Sequence, residues 1–428
     1  MSDSTIESTS EDDFRIEPPV INTPPVEDWT SDYDIFDADY ITDPVPIWND
    51  LRGQCPMAKT ERWGGSWLPT RHEDLQALAK IVPELSSTDP LVVSARDDDR
   101  PEDDRAPEGL AAPPITADPP LHGWTRRMIL PTFSPKAVAT YRPYTEELCH
   151  QLIDGFIAEG RCDAAQQYAQ QIPPRVIAHL LGIDPDKADD FTTWVRGVLE
   201  FGLYDNNIRV KYRDIIRDFL FAEVTDRVEN PRDDKLTEYL ALDIPEGVDR
   251  VRVVVGIANL LLIAGIDTTW SSIGSALFHF GSHPDDRRRL AADDSLFPTA
   301  IEEMLRYYSP VTMARVALED VEYNGVTIKE GDKVLMNFPG ANHDPEVFEN
   351  PEQIQIDRER NRHIAFGSGI HRCAGSNLAR LEMDVALRVW FERIPDFELA
   401  DPNGITWAGG QVRGPRVLPM KFEAGQPR

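Results

Sequence analysis

The sequence predicts a mainly α-helical protein with small β-sheets, folded as a single large domain. Three observations predict this. Long amphipathic runs with apolar residues at helical spacing recur at 135–159, 163–182, 187–203, 208–228 and 248–281. Segments with strand character are short and scattered. No linker composition interrupts the body of the chain, so the soft length prior of about three domains yields to one. A hydrophobic content of 41% in 428 residues suits a globular chain with a sizeable core.

The elements follow in order. Met1 to about Asp43 is acidic and rich in Ser, Thr and Pro, with few aliphatic residues. It reads as a disordered or loosely packed tail, leaving 44–428 as the folded domain. The stretch 44–70 carries Trp63, Gly64, Gly65 and Trp67, which suits a small hairpin. A helix is expected over His72 to Ala79. The polar run 96–109 (RDDDRPEDDRAPEG) reads as a mobile surface loop. After the five long runs comes a helix over 297–308. Short strands are expected at 321–328, 333–335 and 413–422. From Asn377 to Phe391 the chain reads as an apolar helix carrying Leu378, Leu381, Met383, Val385, Leu387, Val389 and Trp390.

Charge and cysteine usage bound the function. There are 74 acidic residues against 44 basic, a net charge of −30. That argues against nucleic acid and anionic membrane as partners, and solubility accounts for most of the excess. The four cysteines (Cys55, Cys149, Cys162 and Cys373) show no zinc-ligand spacing. So few in so long a chain imply a reducing, cytoplasmic setting without disulfides. The first residues show no basic-then-apolar signal pattern. The most apolar stretch, Val251 to Ala264, is too short for a membrane span and runs into Asp267.

The chemistry concentrates around Cys373. Phe366-Gly367-Ser368-Gly369-Ile370-His371-Arg372-Cys373-Ala374-Gly375 sets one cysteine among three glycines, a histidine and an aromatic ring. A thiolate is one of the few protein groups that hold a haem iron, and it favours O–O cleavage there. Glycines let a loop lie close under a flat macrocycle. The freed N–H groups and the Phe366 ring can tune and screen the sulfur. A buried structural cysteine is the plainer fate of a lone cysteine. A helix starting beside the sulfur would lower its pKa through its positive end. A second cluster, Ala264-Gly265-Ile266-Asp267-Thr268-Thr269, puts an acid and two hydroxyls inside an apolar helix, which is costly without a partner or a task. A threonine competing for a backbone carbonyl bends a helix.

Phe366, Gly369, His371, Cys373 and Gly375 resemble F-x-x-G-x-H-x-C-x-G, the haem signature of the cytochrome P-450 superfamily. Three further stretches are similar to the family pattern in the same order: A-G-x-D-T-T at 264–269, Glu303-x-x-Arg306, and His122-x-x-x-Arg126. The resemblance covers roughly 45–422 and implies a soluble, bacterial-type haem-thiolate monooxygenase with the single-domain fold of that family. It implies haem b on Cys373, with O₂ as co-substrate. His122, Arg126, Arg315 and His371 would meet the haem propionates, and Phe366, Gly367, Gly375, Ala264 and Gly265 would line the haem. Thr268 would hydrogen-bond the oxygen species, and Asp267 would feed protons from solvent. Glu303 and Arg306 would be a structural ion pair, and Asn342-His343-Asp344-Pro345 and Asp357-Arg358 structural coil. Phe201, Leu260, Val311, Met313 and Gln411 would face a compact, apolar substrate cavity.

The run Trp407 to Pro415 resembles members that oxidise small aromatic ethers or are fused to reductases in longer chains. A small apolar, aromatic substrate is expected, with hydroxylation or oxidative O-dealkylation as the outcome. The chain shows no flavin, nicotinamide or Cys₄ cluster pattern. Electrons are therefore expected from a ferredoxin or flavodoxin served by an NAD(P)H-dependent reductase. Arg372 and Arg380, with Arg388 and Arg287-Arg288-Arg289, would form the docking face. The protein is expected to be a monomer. Two other readings stand beside this one: a haem-thiolate sensor or carrier, which needs no proton relay, and a peroxide-using peroxygenase, which would place its acid differently.

Overall fold

The computed structural model describes residues 23–94 and 109–428. The run 1–22, and the loop expected at 96–109 save for Gly109, lie outside the described residues.

The chain opens with α1 (Ala38–Thr42) and α2 (Val45–Gln54), then the hairpin β1 (Met57–Thr60) and β2 (Ser66–Pro69). Trp63, Gly64 and Gly65 turn the hairpin with φ of 58°, 96° and 86°. The hairpin is thus where its turn signals put it, but the residues before it form α2. The expected tail needs a larger correction. Over 23–43 it is ordered, and Tyr33, Ile35, Phe36 and Tyr40 are buried with Trp48, Leu51, Leu68 and Leu335. The aromatic residues spaced through this acidic run supply the apolar area. Its acid is not solvated either: Asp34 is buried, accepting from Trp63 Nε1 at 2.8 Å and pairing with Arg62 at 3.2 Å.

Next come α3 (His72–Leu78), β3 (Leu85–Ser86), α4 (Leu121–Ile129), α5 (Pro135–Val138) and α6 (Arg142–Asp154). The run 163–182 is helical only from α7 (Ile172–Leu181), because Pro173 and Pro174 suit a first helical turn. Arg161–Asp163 forms β4. Then follow α8 (Ala188–Leu199), α9 (Asn206–Glu229) and α10 (Lys235–Ala241).

The centre is α11 (Arg250–Ser282), capped by Asp249, whose side chain accepts from Arg252 N. It is apolar around most of its circumference, so burial on all sides is its stable environment. Long and apolar enough to cross a bilayer by length and composition, it is instead packed against α7, α8, α9 and α15 (Ser376–Arg393). Between them lie α12 (Pro284–Ala292), α13 (Phe297–Tyr307) and α14 (Phe338–Ala341).

The remaining strands are β5 (Met313–Ala317), β6 (Val321–Tyr323), β7 (Val326–Ile328), β8 (Lys333–Met336), β9 (Phe397–Leu399), β10 (Thr406–Ala408), β11 (Gly414–Val417) and β12 (Pro419–Phe422). The largest sheet has the order β1-β2-β8-β5-β3, and β2–β8 is its parallel pair. Strand β5 was not expected. Its pairing with β8 registers Arg315 against Val334 and delivers that arginine to the site.

Candidate active site

The loop before α15 is shaped by two left-handed glycines, Gly367 (φ 75°) and Gly369 (φ 71°). A Cβ on Gly369 would come within 2.4 Å of Ala79 O. Cys373 N donates to Phe366 O at 2.7 Å and closes the loop. Gly375 caps α15, so the helix does begin beside the sulfur. Cys373 is exposed to a cavity yet sits deep in the protein. Burial pushes its thiol up, while the Gly375 N–H and the guanidinium groups of Arg126, Arg372 and Arg380 pull it down. A bound metal would settle the balance toward thiolate.

Facing this loop is a set of donors without acids. The His122 and His371 rings lie 4.4 Å apart, and each leaves a buried Nε2 with no partner. Arg315 is buried and, among the described residues, donates only to Ala314 O, and burial pulls it down to about 10. Arg126 donates to Arg372 O. Neither arginine has an ion-pair partner among the described residues. Buried cations and orphan imidazole nitrogens are costly unless anions meet them. Two propionates of a haem supply that need, so the residues present fit the group.

Across the cavity, Ala264, Gly265 and Thr268 line the α11 wall. Thr268 Oγ1 donates to Ala264 O at 2.9 Å. The carbonyl competition expected from the sequence is there, although α11 stays continuous. Asp267 is turned away from the cavity. It is fully buried and accepts from Arg416 Nη2 at 2.9 and 3.2 Å and from Ser271 Oγ at 3.1 Å. Arg416 Nε also donates to Glu200 at 2.9 Å, and Arg196 binds both Glu200 oxygens at 3.0 Å. Burial raises Asp267 to about 6 against the pull of Arg416. Burial resists ionisation of Glu200 too, but Arg416 and Arg196 outweigh it and hold Glu200 low. The Arg196 side chain, 28% exposed, brings this chain of charges to the surface.

The cavity has a volume of about 710 Å³. Leu260, Val311, Met313 and Gln411 line it. Phe201 does not. It turns inward beneath the Arg196 guanidinium, 4.8 Å from its ring, and Val198 and Leu199 take its place on the wall. Gln411 is held by the fold, accepting from Val92 N at 2.8 Å. The cavity is also more polar than expected, because Arg209, Arg213 and Arg217, spaced four apart on α9, line it. Sequence reasoning missed three groups here: Arg416, Glu200 and Glu382. Arg416 lies 149 residues from Asp267, and no local pattern marks it. Glu382 lines the cavity, and its Oε2 has no partner. Burial raises its carboxyl well above the usual range.

Behind the loop, Glu303 and Arg306 are fully buried and joined by two 2.8 Å bonds. Arg358 adds a third contact to Glu303 at 3.0 Å. Asn342 donates to Ser309 Oγ at 2.6 Å, and Asp344 accepts from His72 N at 2.8 Å, so both tie coil to core.

The expected docking arginines are mostly occupied. Arg380 grips Glu302 at 2.6 and 2.8 Å and stacks 4.4 Å from the Phe366 ring. It thus supports the ring beside the sulfur and is no free surface charge. Arg388 pairs with Asp384, Arg287 with Asp396, Arg288 with Asp285 and Arg289 with Asp357. Arg372 alone of this group is exposed without an ion pair among the described residues.

Known proteins match this chain in sequence and in fold. Residues 250–393 match the family model for Cytochrome P450. The chain is 34% identical to a Vitamin D(3) 25-hydroxylase of Pseudonocardia autotrophica over 87% of its length and 91% of that protein. It is 31% identical to the cytochrome P450 monooxygenase PikC of Streptomyces venezuelae, over 91% and 93% of the two chains. Among solved structures, the Bacillus subtilis bacillaene polyketide synthase cytochrome P450 PksS superposes with a TM-score of 0.81. That match has 29% identity and covers 91% of this chain and 100% of the other.

Proposed function

This chain belongs to the cytochrome P450 family and is an oxygen-incorporating oxidoreductase of the bacterial type; from that premise we propose that it oxidises a small, largely apolar substrate, aromatic ethers included, by hydroxylation or O-dealkylation. The observation that carries the reading is the single cavity with Cys373 on one wall, Thr268 on the opposite wall and acid-free donors at its edge. When bound, haem supplies the redox centre for R–H + O₂ + 2e⁻ + 2H⁺ → R–OH + H₂O. If the oxidised carbon adjoins an ether oxygen, the product collapses to an alcohol and a carbonyl compound.

The protein's residues divide the work. Cys373 offers its sulfur from a loop fixed by Gly367, Gly369 and the Phe366 carbonyl. His122, Arg126, Arg315 and His371 would hold the propionates, the two arginines as cations and the two imidazoles as N–H donors. Leu260, Ala264 and Val311 exclude water and press an apolar substrate toward the Thr268 hydroxyl. Asp267, raised to about 6, gives up and recovers a proton near neutral pH. Arg416 stays charged and cannot itself pass a proton. Its part is to hold Asp267 at the outer end of a swing between the Glu200 side and Thr268. Glu382 stands beside the cavity with its carboxyl pushed toward the protonated form by burial. Electrons come from a separate ferredoxin or flavodoxin with its reductase, docked at the face that exposes Arg372. The protein works as a cytoplasmic monomer.

The test is a titration of the haem-loaded protein with aryl ethers, phenols and aliphatic analogues, read as the spin-state change of the haem spectrum, with product analysis for those that bind. Aryl ethers that shift the spectrum and yield the phenol support the reading. No response to any small apolar aromatic, with tight binding of a large polar macrolide, would overturn it.

A further inference from the structure

A second cavity, of about 900 Å³, lies on the far side of the wall that closes the active site. Its walls are aromatic. Phe278 meets Trp407 at 5.2 Å and Tyr308 at 6.2 Å between ring centres, and Tyr307 abuts Tyr308 at 4.9 Å. Three donors converge on it. Arg413 donates to Ile41 O and Thr42 O at 2.7 Å each and stacks 4.4 Å from the Trp407 ring. It has no ion-pair partner among the described residues. The Tyr307 and Tyr308 hydroxyls make no hydrogen bond among the described residues, although Tyr308 is only 9% exposed. Arg413 is thus anchored to backbone, and the two tyrosine hydroxyls are the free donors of an aromatic recess, the usual make-up of a small-molecule site in which a few polar groups orient a flat apolar ligand.

The charge around the recess selects the ligand further. Asp37 and Asp43 also line it. Their carboxylates accept from Asp39 N and Val45 N, so they are turned to backbone, but both still oppose an anion. The acceptor that suits these donors is therefore uncharged. We propose that this cavity is a second binding site, for a neutral aromatic carbonyl compound, and that its occupant acts on the active site as an effector. The route is the shared wall. Arg413 N donates to Pro310 O at 2.7 Å, Thr312 N donates to Gln411 O at 3.1 Å, and Val311 bridges Val412. Pro310, Val311, Gln411 and Val412 line the active-site cavity. A ligand seated against Arg413 and Tyr308 would bear on the backbone pairing that holds Val311.

The experiment uses the full-length haem-loaded protein with coumarin as the probe and naphthalene as the same bicycle without an acceptor. Saturating 4-phenylimidazole first occupies the haem side. Calorimetry should then still show one equivalent of coumarin bound, and naphthalene at least tenfold weaker. Ile405→Trp, which fills the recess, should abolish that binding. Tyr307→Phe/Tyr308→Phe, which removes only the hydroxyls, should weaken it at least fivefold with the haem spectrum unchanged. Coumarin should also shift the 4-phenylimidazole midpoint in the native protein but not in Ile405→Trp. The proposal is overturned if 4-phenylimidazole abolishes coumarin binding. It is equally overturned if either variant binds coumarin as the native protein does, or if the midpoint shift is absent or survives in Ile405→Trp.

Discussion

Replacing Arg416 by Gln should destabilise the protein in a way that depends on pH. Among the described residues Arg416 is the one cation that touches both Asp267 and Glu200, and its side chain is 9% exposed. Removing one partner of such a buried network typically costs about 3–5 kcal/mol, because the carboxylates left behind are buried without it. Glu200 keeps Arg196, so most of the loss falls on Asp267. The sign follows from linkage. Asp267 is already raised to about 6 in the native protein, above its unfolded value. It therefore contributes stability at low pH that fades as pH rises through about 6. Without Arg416 the folded-state pKa moves higher, and the fading continues to higher pH. Between about 6 and the new value the variant's native state holds roughly one proton more than the native protein's. The difference in stability should then widen by up to ~1.4 kcal/mol per pH unit. Denaturant unfolding of both proteins at pH 5.5, 6.5, 7.5 and 8.5 measures this. A loss that is the same at all four values would refute the coupling of Arg416 to the Asp267 proton.

Four other outcomes are expected. Cys373→His should retain some haem but lose the red-shifted Soret band of the reduced carbonyl complex along with product formation; an intact band would move the ligand elsewhere. Thr268→Ala should bind substrate nearly as before while diverting electrons to hydrogen peroxide, and Asp267→Asn should chiefly slow turnover; peroxide assays beside product yield separate the two. Glu303→Gln strips the shared carboxylate from Arg306 and Arg358 and should cost about 3–5 kcal/mol with loss of haem, seen in denaturant midpoints and haem content. Arg372→Glu should cut the first electron-transfer rate from an acidic ferredoxin several-fold, with the difference shrinking as salt screens charges beyond about 8–10 Å; stopped flow across a salt series reads it, and equal rates at low salt would place docking on another face.

What was legible in the sequence was whatever chemistry requires within a short stretch of chain. The Cys373 loop needs its glycines at fixed offsets, because Gly367 and Gly369 take left-handed φ and Ala79 O leaves no room for a side chain. The Asp267-Thr268 pair stands out because polar groups inside an apolar helix demand a reason. The elements themselves followed apolar periodicity where it was long, as in α11 and α15, and failed where it was broken by prolines, as before α7. The acidic start misled because composition counts charges and overlooks that Tyr33, Phe36 and Tyr40 are spaced to bury together.

What stayed hidden was every partner supplied from far along the chain. Asp267 is identifiable locally, but its environment is made by Glu200 at the end of α8 and Arg416 in β11, and an isolated arginine in either stretch reads as surface charge. The same holds for Arg380, whose sequence position beside the loop suggests docking but whose charge is consumed by Glu302. Distance therefore changes the meaning of a charge more than its identity does. Asp267 and Asp43 are the same side chain, yet the first lies fully buried against Arg416 and the second stands at a solvent-facing rim. The first has its carboxyl raised to about 6 by burial, and that shift comes from the fold rather than from the motif.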